Sequence, residues 1–261
     1  YANKRALSKL LCFFVYFACP KQNNMANSFF KFKQFTIYQE RAAMRVGTDG
    51  VLLGAWCRIG EAKRILDVGT GTGLIALMAA QRSAACIDAV ELDFGAACDA
   101  ALNAGLSPWS DRVTIYKADF GDWFGRYTRP RYDHILSNPP YFVQSLLPPD
   151  SRRERARHTG TLDYETLFEG AAALLLPGGR VSLISPADLE EHLTFVALLH
   201  GFYPARFTYV SGIAGRAPKR LLSEWGRARR PLQTHAMAIE QRGAGYTTDY
   251  VSLTRDFYLK M

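Results

Sequence analysis

From residue 63 onwards the chain alternates short apolar runs with longer stretches whose apolar residues recur at helical spacing. "RILDVG" reads as a strand buried on both faces, and "GLIALMAAQR" as a helix with apolar positions on most sides. "CIDAVEL" is a second strand, followed by the alanine-rich helix "FGAACDAALNAG", expected to close on Gly105. "RVTIYKAD" is a third strand and "YDHILSNPP" a fourth. "YETLFEGAAALLLPGG" reads as a helix stopped by Pro-Gly-Gly, leading into a fifth strand, "RVSLISP". Strands alternating with helices predict an α/β fold whose mainly parallel sheet is covered on both faces.

Further on come "ARFTYVSG", "KRLLSEW" and "HAMAIEQ". No long helix separates the last two, so antiparallel pairing is expected at this C-terminal edge, with a closing helix around residues 247–259. Upstream, "FKFKQFTIYQ" and "RAAMRVG" look like an N-terminal β-hairpin. With no repeat, low-complexity tract or linker visible, residues 25–261 are expected to form one domain.

The chain has 261 residues, 48% hydrophobic and 21% charged, an ordinary globular composition. Its net charge of +8 points to an acidic partner, of which nucleic acid is the commonest. Residues 1–24 hold Lys4, Arg5, Lys9 and Lys21 without an acid, so the rest of the chain carries only +4. The apolar run at residues 10–18 is too short to span a bilayer. It has the look of a signal peptide's charged and apolar regions; the preferred reading is translated upstream sequence, with Met25 as the start and 1–24 a poorly ordered, dispensable tail. The five cysteines and five histidines show neither a CxxC pair nor HExxH. No metal site is expected, and reduced thiols of a cytoplasmic protein are.

"LDVGTGTG" ends a strand at Asp67 and places Gly69, Gly71 and Gly73 ahead of a helix. Such glycines permit a tight turn and let a ligand approach the backbone, while the helix offers free N–H groups. The spacing is GxGxG, not the GxGxxG that suits a pyrophosphate, and no P-loop lysine follows. Glu91 falls at the end of the next strand, where a carboxylate can accept both ribose hydroxyls of a nucleoside. Asp119, ending the third strand, stands where it or its neighbours could read an adenine edge. Each acid also has a plain reading: Asp67 as a cap of the following helix, Glu91 as a solvated strand end, Asp119 as a turn former.

The fourth strand ends in "SNPPYF". Two prolines remove two N–H donors and fix φ, and Asn138, preceding a proline, is pushed towards an extended conformation. The outcome is either a merely rigid loop or a stiff display of carbonyl and amide oxygens beside an aromatic plate.

"DVGTGTG", "VEL", "KAD" and "SNPPY", in that order, resemble the class I S-adenosylmethionine-dependent methyltransferases, specifically their amino-methylating branch. "RVGTDGVLLGAW", with "FKQF" before it and "RERARHT" after, resembles the bacterial family that N6-methylates adenine 37 of a valine tRNA. The resemblance runs from about residue 30 to the final helix and implies a Rossmann-like class I fold, S-adenosylmethionine as cofactor and tRNA as partner. Two departures stand out: His134 lies in a strand where the family tends to be apolar, and "EWGRARRPLQ" is unusually basic, which could alter the grip on RNA.

By this resemblance Asn138 and the carbonyl of Pro139 accept the hydrogens of an exocyclic amine, and Tyr141 stacks the base. Asp49 caps a short helix and belongs to a lid over the donor's methionine end. With Asp67, Gly69, Gly71, Gly73, Glu91, Asp119 and Asn138 it makes up the expected donor site. Arg153, Arg157, Arg216, Lys219 and Arg220 are expected to contact the RNA backbone, their plain reading being a solvated surface. Phe142 and Trp56 read as packing residues, and His158 is not expected to act as a base. Competing readings are glutamine-N5 methylation of release factors, guanine-N2 methylation of rRNA, DNA adenine methylation, and a methyltransferase-like fold kept only for RNA binding. The oligomeric state stays open, with a monomer expected.

Overall fold

A computed structural model describes residues 28–126, 131–140 and 162–261. β1 (Phe29–Lys31) and β2 (Thr36–Tyr38) form an antiparallel hairpin, followed by α1 (Thr48–Trp56). The alternating region comprises β3 (Arg64–Val68), α2 (Leu74–Arg82), β4 (Cys86–Glu91), α3 (Phe94–Leu106), β5 (Val113–Lys117), α4 (Phe120–Phe124) and β6 (Tyr132–Ser137). Then come α5 (Tyr164–Leu174), β7 (Leu175–Pro186), α6 (Glu190–Leu199), β8 (Tyr203–Ile213), β9 (Arg220–Gly226), β10 (Gln233–Gln241), β11 (Gly245–Tyr246) and α7 (Thr248–Thr254). Among the described residues one sheet runs in the spatial order β11-β10-β8-β9-β7-β6-β3-β4-β5.

Strands β3 to β7 pair in parallel, as the alternation predicts. Successive residues point to opposite faces, so each apolar pair feeds two cores. Ile65, Leu136, Ile184 and Leu222 pack under α1, α2 and α7, while Leu66, Ile135, Leu183 and Leu221 pack under α4, α5 and α6. This is why the strands read as continuous hydrophobic runs.

The C-terminal edge carries antiparallel pairing, as expected, but not between the last two segments. β9 is antiparallel, but its partners are β7 and β8; β10 joins the far side of β8 in parallel. β9 and β10 do run in opposite directions, yet both edges of β9 are already occupied, so the chain steps past β8. The basic connection "GRARRP" makes this step beside the start of β8, at the end of the sheet away from Asn138. There Arg227 donates to the carbonyls of His200 and Ala172 and lies over the Phe202 ring. Arg227 thus braces the fold, and the connection as a whole lies at the end of the sheet opposite to Asn138.

Other boundaries shift for local reasons. The hairpin uses Phe29 and the "FKFKQFTIYQ" stretch alone; in "RAAMRVG" the amides of Arg41 and Ala42 donate instead to Asp99 Oδ2 at 2.8 and 2.9 Å. α3 runs through Gly105 and stops where the Ser107 hydroxyl donates to the Ala104 carbonyl. α5 ends before Pro-Gly-Gly, which becomes an irregularity within β7, with Gly178 at φ 83°. α7 is shorter than expected, its C-terminal boundary at Thr254.

His134, the other departure, is buried, with Nε2 2.8 Å from the Ser182 hydroxyl. Burial, with help from Arg180 and Arg206, lowers its pKa to about 3, so it is a neutral polar member of the core. Next to it, Glu224 pairs with both Arg180 and Arg206, and Arg206 stacks over Trp56, 3.5 Å from the ring centroid. Trp56 is a packing residue.

Candidate functional site

The chain leaves β3 for β4 and β5 on one side, then returns to place β6 on the other. Between β3 and β6 the strand order reverses, and the crevice beyond their carboxyl ends is where open α/β sheets bind ligands. Val68 and Ser137 are in register, and Ser137 Oγ donates to the Val68 carbonyl at 2.8 Å. Gly69 and Asn138, the next residue on each strand, therefore leave the sheet side by side, about one strand spacing of 4.8 Å apart.

Gly69, Gly71 and Gly73 all adopt left-handed backbone, with φ of 69°, 57° and 84°. An L side chain is strained there, which explains three glycines in five residues. A Cβ at Gly71 would meet nothing within 4 Å, so the loop backbone is open to a ligand. The amides of Gly69 and Thr70 donate to the Val90 carbonyl, and that of Gly71 donates to Glu91 Oε2 at 2.7 Å. Glu91 Oε1 accepts from Asp93 N–H. Each carboxylate oxygen retains a further lone pair, so Glu91 anchors the loop and still offers acceptors to a diol. Burial raises its pKa; the Asp93 and Gly71 amides pull the other way.

Asp67 is buried beneath the loop. Its Oδ2 accepts from Thr70 Oγ1 at 2.5 Å and from the Ala76 amide at 3.0 Å, capping α2 from the preceding strand. Its Oδ1 is buried without a hydrogen-bond partner. Burial, opposed by these two donors and assisted by the Glu91 charge, raises its pKa to about 7. An unpartnered carboxylate oxygen behind an open glycine backbone, with a second carboxylate alongside, suits a nucleoside that carries positive charge. Asp119 is exposed and caps α4, accepting from Asp122 N–H at 3.1 Å; its place beyond β5 puts it on the Glu91 side of the crevice.

Pro139 is buried and Asn138 half-buried. Tyr141, Phe142, Arg153, Arg157 and His158 lie outside the described residues. Asp49 is not the N-cap of α1: Gly47 holds that position, and Asp49 sits in the first turn, where a carboxylate favours the helix dipole. Its Oδ2 lies 2.8 Å from Arg220 Nε. Arg220 opens β9, and Arg216 and Lys219 lie in the β8–β9 connection, all at the carboxyl edge of the parallel strands. The structure thus brings a residue expected at the donor together with one expected at RNA.

Several positioning residues were not singled out in the sequence. Asn103 accepts from Tyr38 N–H and donates to the Tyr38 carbonyl, both at 2.8 Å, and also donates to the Thr72 carbonyl at 2.9 Å. One side chain ties β2 to the glycine loop. Asp99, one turn earlier, holds Arg41 through its amide and guanidinium. Two polar residues spaced i, i+4 on an alanine-rich helix were the available signal. In "GTDGVLLG", a Cβ at Gly50 would lie 2.9 Å from Leu74 Cδ2, and one at Gly54 would lie 2.6 Å from Met78 Sδ. These glycines let α1 lie directly against α2, behind the loop.

Among the described residues no cluster could hold a metal ion, and no helix is long and apolar enough to cross a membrane. The family model described as "Methyltransferase small domain" matches residues 50–203. The tRNA1(Val) (adenine(37)-N6)-methyltransferase of Bacteroides fragilis is 44% identical over 237 residues, covering 91% of this chain and 100% of the relative. That of Tolumonas auensis is 42% identical, covering 91% and 99%. Among solved structures, one described as a predicted O-methyltransferase from Agrobacterium tumefaciens superposes with a TM-score of 0.64 at 21% identity, covering 80% of this chain and 96% of that one. P. horikoshii TYW2, in complex with MeSAdo, gives 0.53 at 14% identity, covering 77% and 71%. These two likenesses speak for the fold.

Proposed function

We propose that this chain, which belongs to the tRNA1(Val) (adenine(37)-N6)-methyltransferase family, transfers a methyl group from S-adenosylmethionine to the exocyclic N6 of an adenine in tRNA. The observation that carries this reading is the register of Val68 with Ser137, which sets Asn138 beside the glycine loop.

When bound, the donor supplies a methyl group made electrophilic by its sulfonium. Gly71 would offer it open backbone, Glu91 would receive the ribose hydroxyls, and Asp67, whose charged form a bound sulfonium favours, would place buried negative charge beneath the loop. Asp49 contributes at the α1 side of the crevice. On the acceptor side the difficulty is the amine, whose lone pair is delocalised into the purine ring. Asn138 Oδ1 and the Pro139 carbonyl accept the two N–H hydrogens and favour the positive charge that develops on nitrogen. Both acceptors must be held still, because a loop that reorganised during transfer would forfeit that stabilisation. Ser137, tied to Val68, anchors the strand before them, and the prolines stiffen the segment after. Tyr141 provides a stacking face for the extruded base, which leaves an anticodon loop at lower cost than a duplex. Arg153, Arg157, Arg216, Lys219 and Arg220 meet phosphates. Residues 25–261 act as one domain.

Purified protein incubated with methyl-labelled donor and bulk tRNA, or with a release factor, tests the reading. Digestion and mass spectrometry should find the label in N6-methyladenosine; label in glutamine or in N2-methylguanine would replace this function with one of its rivals.

A further inference from the structure

Beside the β8–β9 connection the carboxyl edge of the sheet opens into a groove of about 760 Å³ that none of the site residues above lines. Its floor and walls come from Phe30, Tyr246, Tyr250 and Tyr258, with Ile213 and Ile239 between them. The rings form a connected series: Tyr246 and Tyr250 have centroids 5.2 Å apart, Tyr250 and Tyr258 have hydroxyls 3.4 Å apart, and Tyr258 meets Phe30 edge-on at 6.0 Å. Tyr250 is buried and serves as support, whereas Tyr246 is 51% exposed and presents its ring to solvent. Lys31 and Lys260 line the groove against one acid, Glu240.

The groove is continuous with the site. Gly47 and Thr48, immediately before Asp49, form one wall, and Gly212 and Ile213 form another. The Ile213 carbonyl accepts from the Arg216 amide, so the groove leads directly into the Arg216, Lys219 and Arg220 segment. β8 is three strands from β6 in the sheet order and β11, which carries Tyr246, is five, so the near wall of the groove lies about 14 Å and Tyr246 about 24 Å sideways from Asn138. These offsets are too great for the methylated base itself and fall within the reach of a nucleotide a few positions along the same splayed RNA loop.

Aromatic rings interleaved with lysines, on a path of arginines, match single-stranded RNA: every base has a face to stack, and every nucleotide brings a phosphate. We propose that this groove is a second RNA subsite, holding a nucleotide a few positions along the loop from the target adenine, with its base on Tyr246 and its phosphates near Lys31 and Lys260. The inference rests on the tRNA reading above and extends it from the reacting base to the neighbouring loop.

The test measures binding of a fluorescent anticodon stem–loop of tRNA1(Val) to the full chain, together with affinity for S-adenosylhomocysteine. It also measures methyl transfer to a linear RNA that carries the target adenine but is too short to reach the groove. Tyr246→Ala should weaken stem–loop binding by roughly fivefold to a hundredfold. Tyr246→Phe should restore it, and neither change should alter S-adenosylhomocysteine affinity or turnover of the short RNA. Lys31→Ala should lower the salt dependence of stem–loop binding by about one unit of log–log slope. Stem–loop binding unchanged in Tyr246→Ala would overturn the subsite, as would a loss shared by S-adenosylhomocysteine or the short RNA. Wild-type protein that leaves tRNA unmethylated would overturn the functional reading, and the subsite with it.

Discussion

Asp49 and Arg220 form an ion pair, Oδ2 to Nε at 2.8 Å, that joins the first turn of α1 to the first residue of β9. It links the helix proposed to wall the donor crevice to the basic edge where RNA is expected. Arg220 Nη1 also donates to the Lys219 carbonyl, so the guanidinium is fixed on two sides.

Because both side chains are about a quarter to a third exposed, solvent screens the pair. A double-mutant cycle of Asp49→Asn and Arg220→Gln, read by denaturant unfolding, should give a coupling of about 0.2–1 kcal/mol. The coupling should shrink as salt is added. Strict additivity would show that the two residues act independently.

Asn103→Ala removes the side chain that serves both Tyr38 and Thr72. With buried polar groups left unmet, stability should fall by about 1–3 kcal/mol in equilibrium unfolding, and S-adenosylhomocysteine should bind more weakly because the glycine loop loses its tie to β2. Donor affinity equal to wild type would limit Asn103 to a role in folding alone.

Asp67 gives stability a recognisable pH dependence. Its folded pKa is raised from 3.8 to about 7, so its contribution is fully present below 3.8 and is lost as pH rises towards about 7. Glu91 is shifted in the same direction; His134 works oppositely, its contribution being present above 6.5 and lost as pH falls towards about 3. Thermal unfolding of Asp67→Asn without donor should therefore lose much less stability than wild type between pH 4 and pH 7. Parallel curves for the two proteins would show that Asp67 titrates as an ordinary carboxyl.

The parallel strands and their order of motifs were legible because their apolar runs end in polar residues at the same edge: Asp67 and Glu91 close to the ends of β3 and β4, and Asn138 just beyond β6. Local chemistry alone misplaced Asp49, since its side chain could cap a helix, whereas the helix starts at Gly47 and the partner of Asp49 lies 171 positions away, at Arg220. β10 was misplaced for a related reason: direction follows from the short connection, but adjacency depends on which strand edges remain open after β7, β8 and β9 have paired. Asn103 and Asp99 were passed over as polar residues on an alanine helix, because the backbone groups they serve are distant in sequence. Gly50 and Gly54 were quoted within a motif, yet their use depends on the closeness of α2.

The account stands on Asn138 and Pro139 as preorganised acceptors beside the glycine loop. Its most direct test is single-turnover methyl transfer to tRNA1(Val) by Asn138→Ala, with S-adenosylhomocysteine affinity measured on the same preparation. The account predicts a loss in rate of about a hundredfold or more with donor affinity unchanged. A variant that transfers methyl groups at close to the wild-type rate would contradict it.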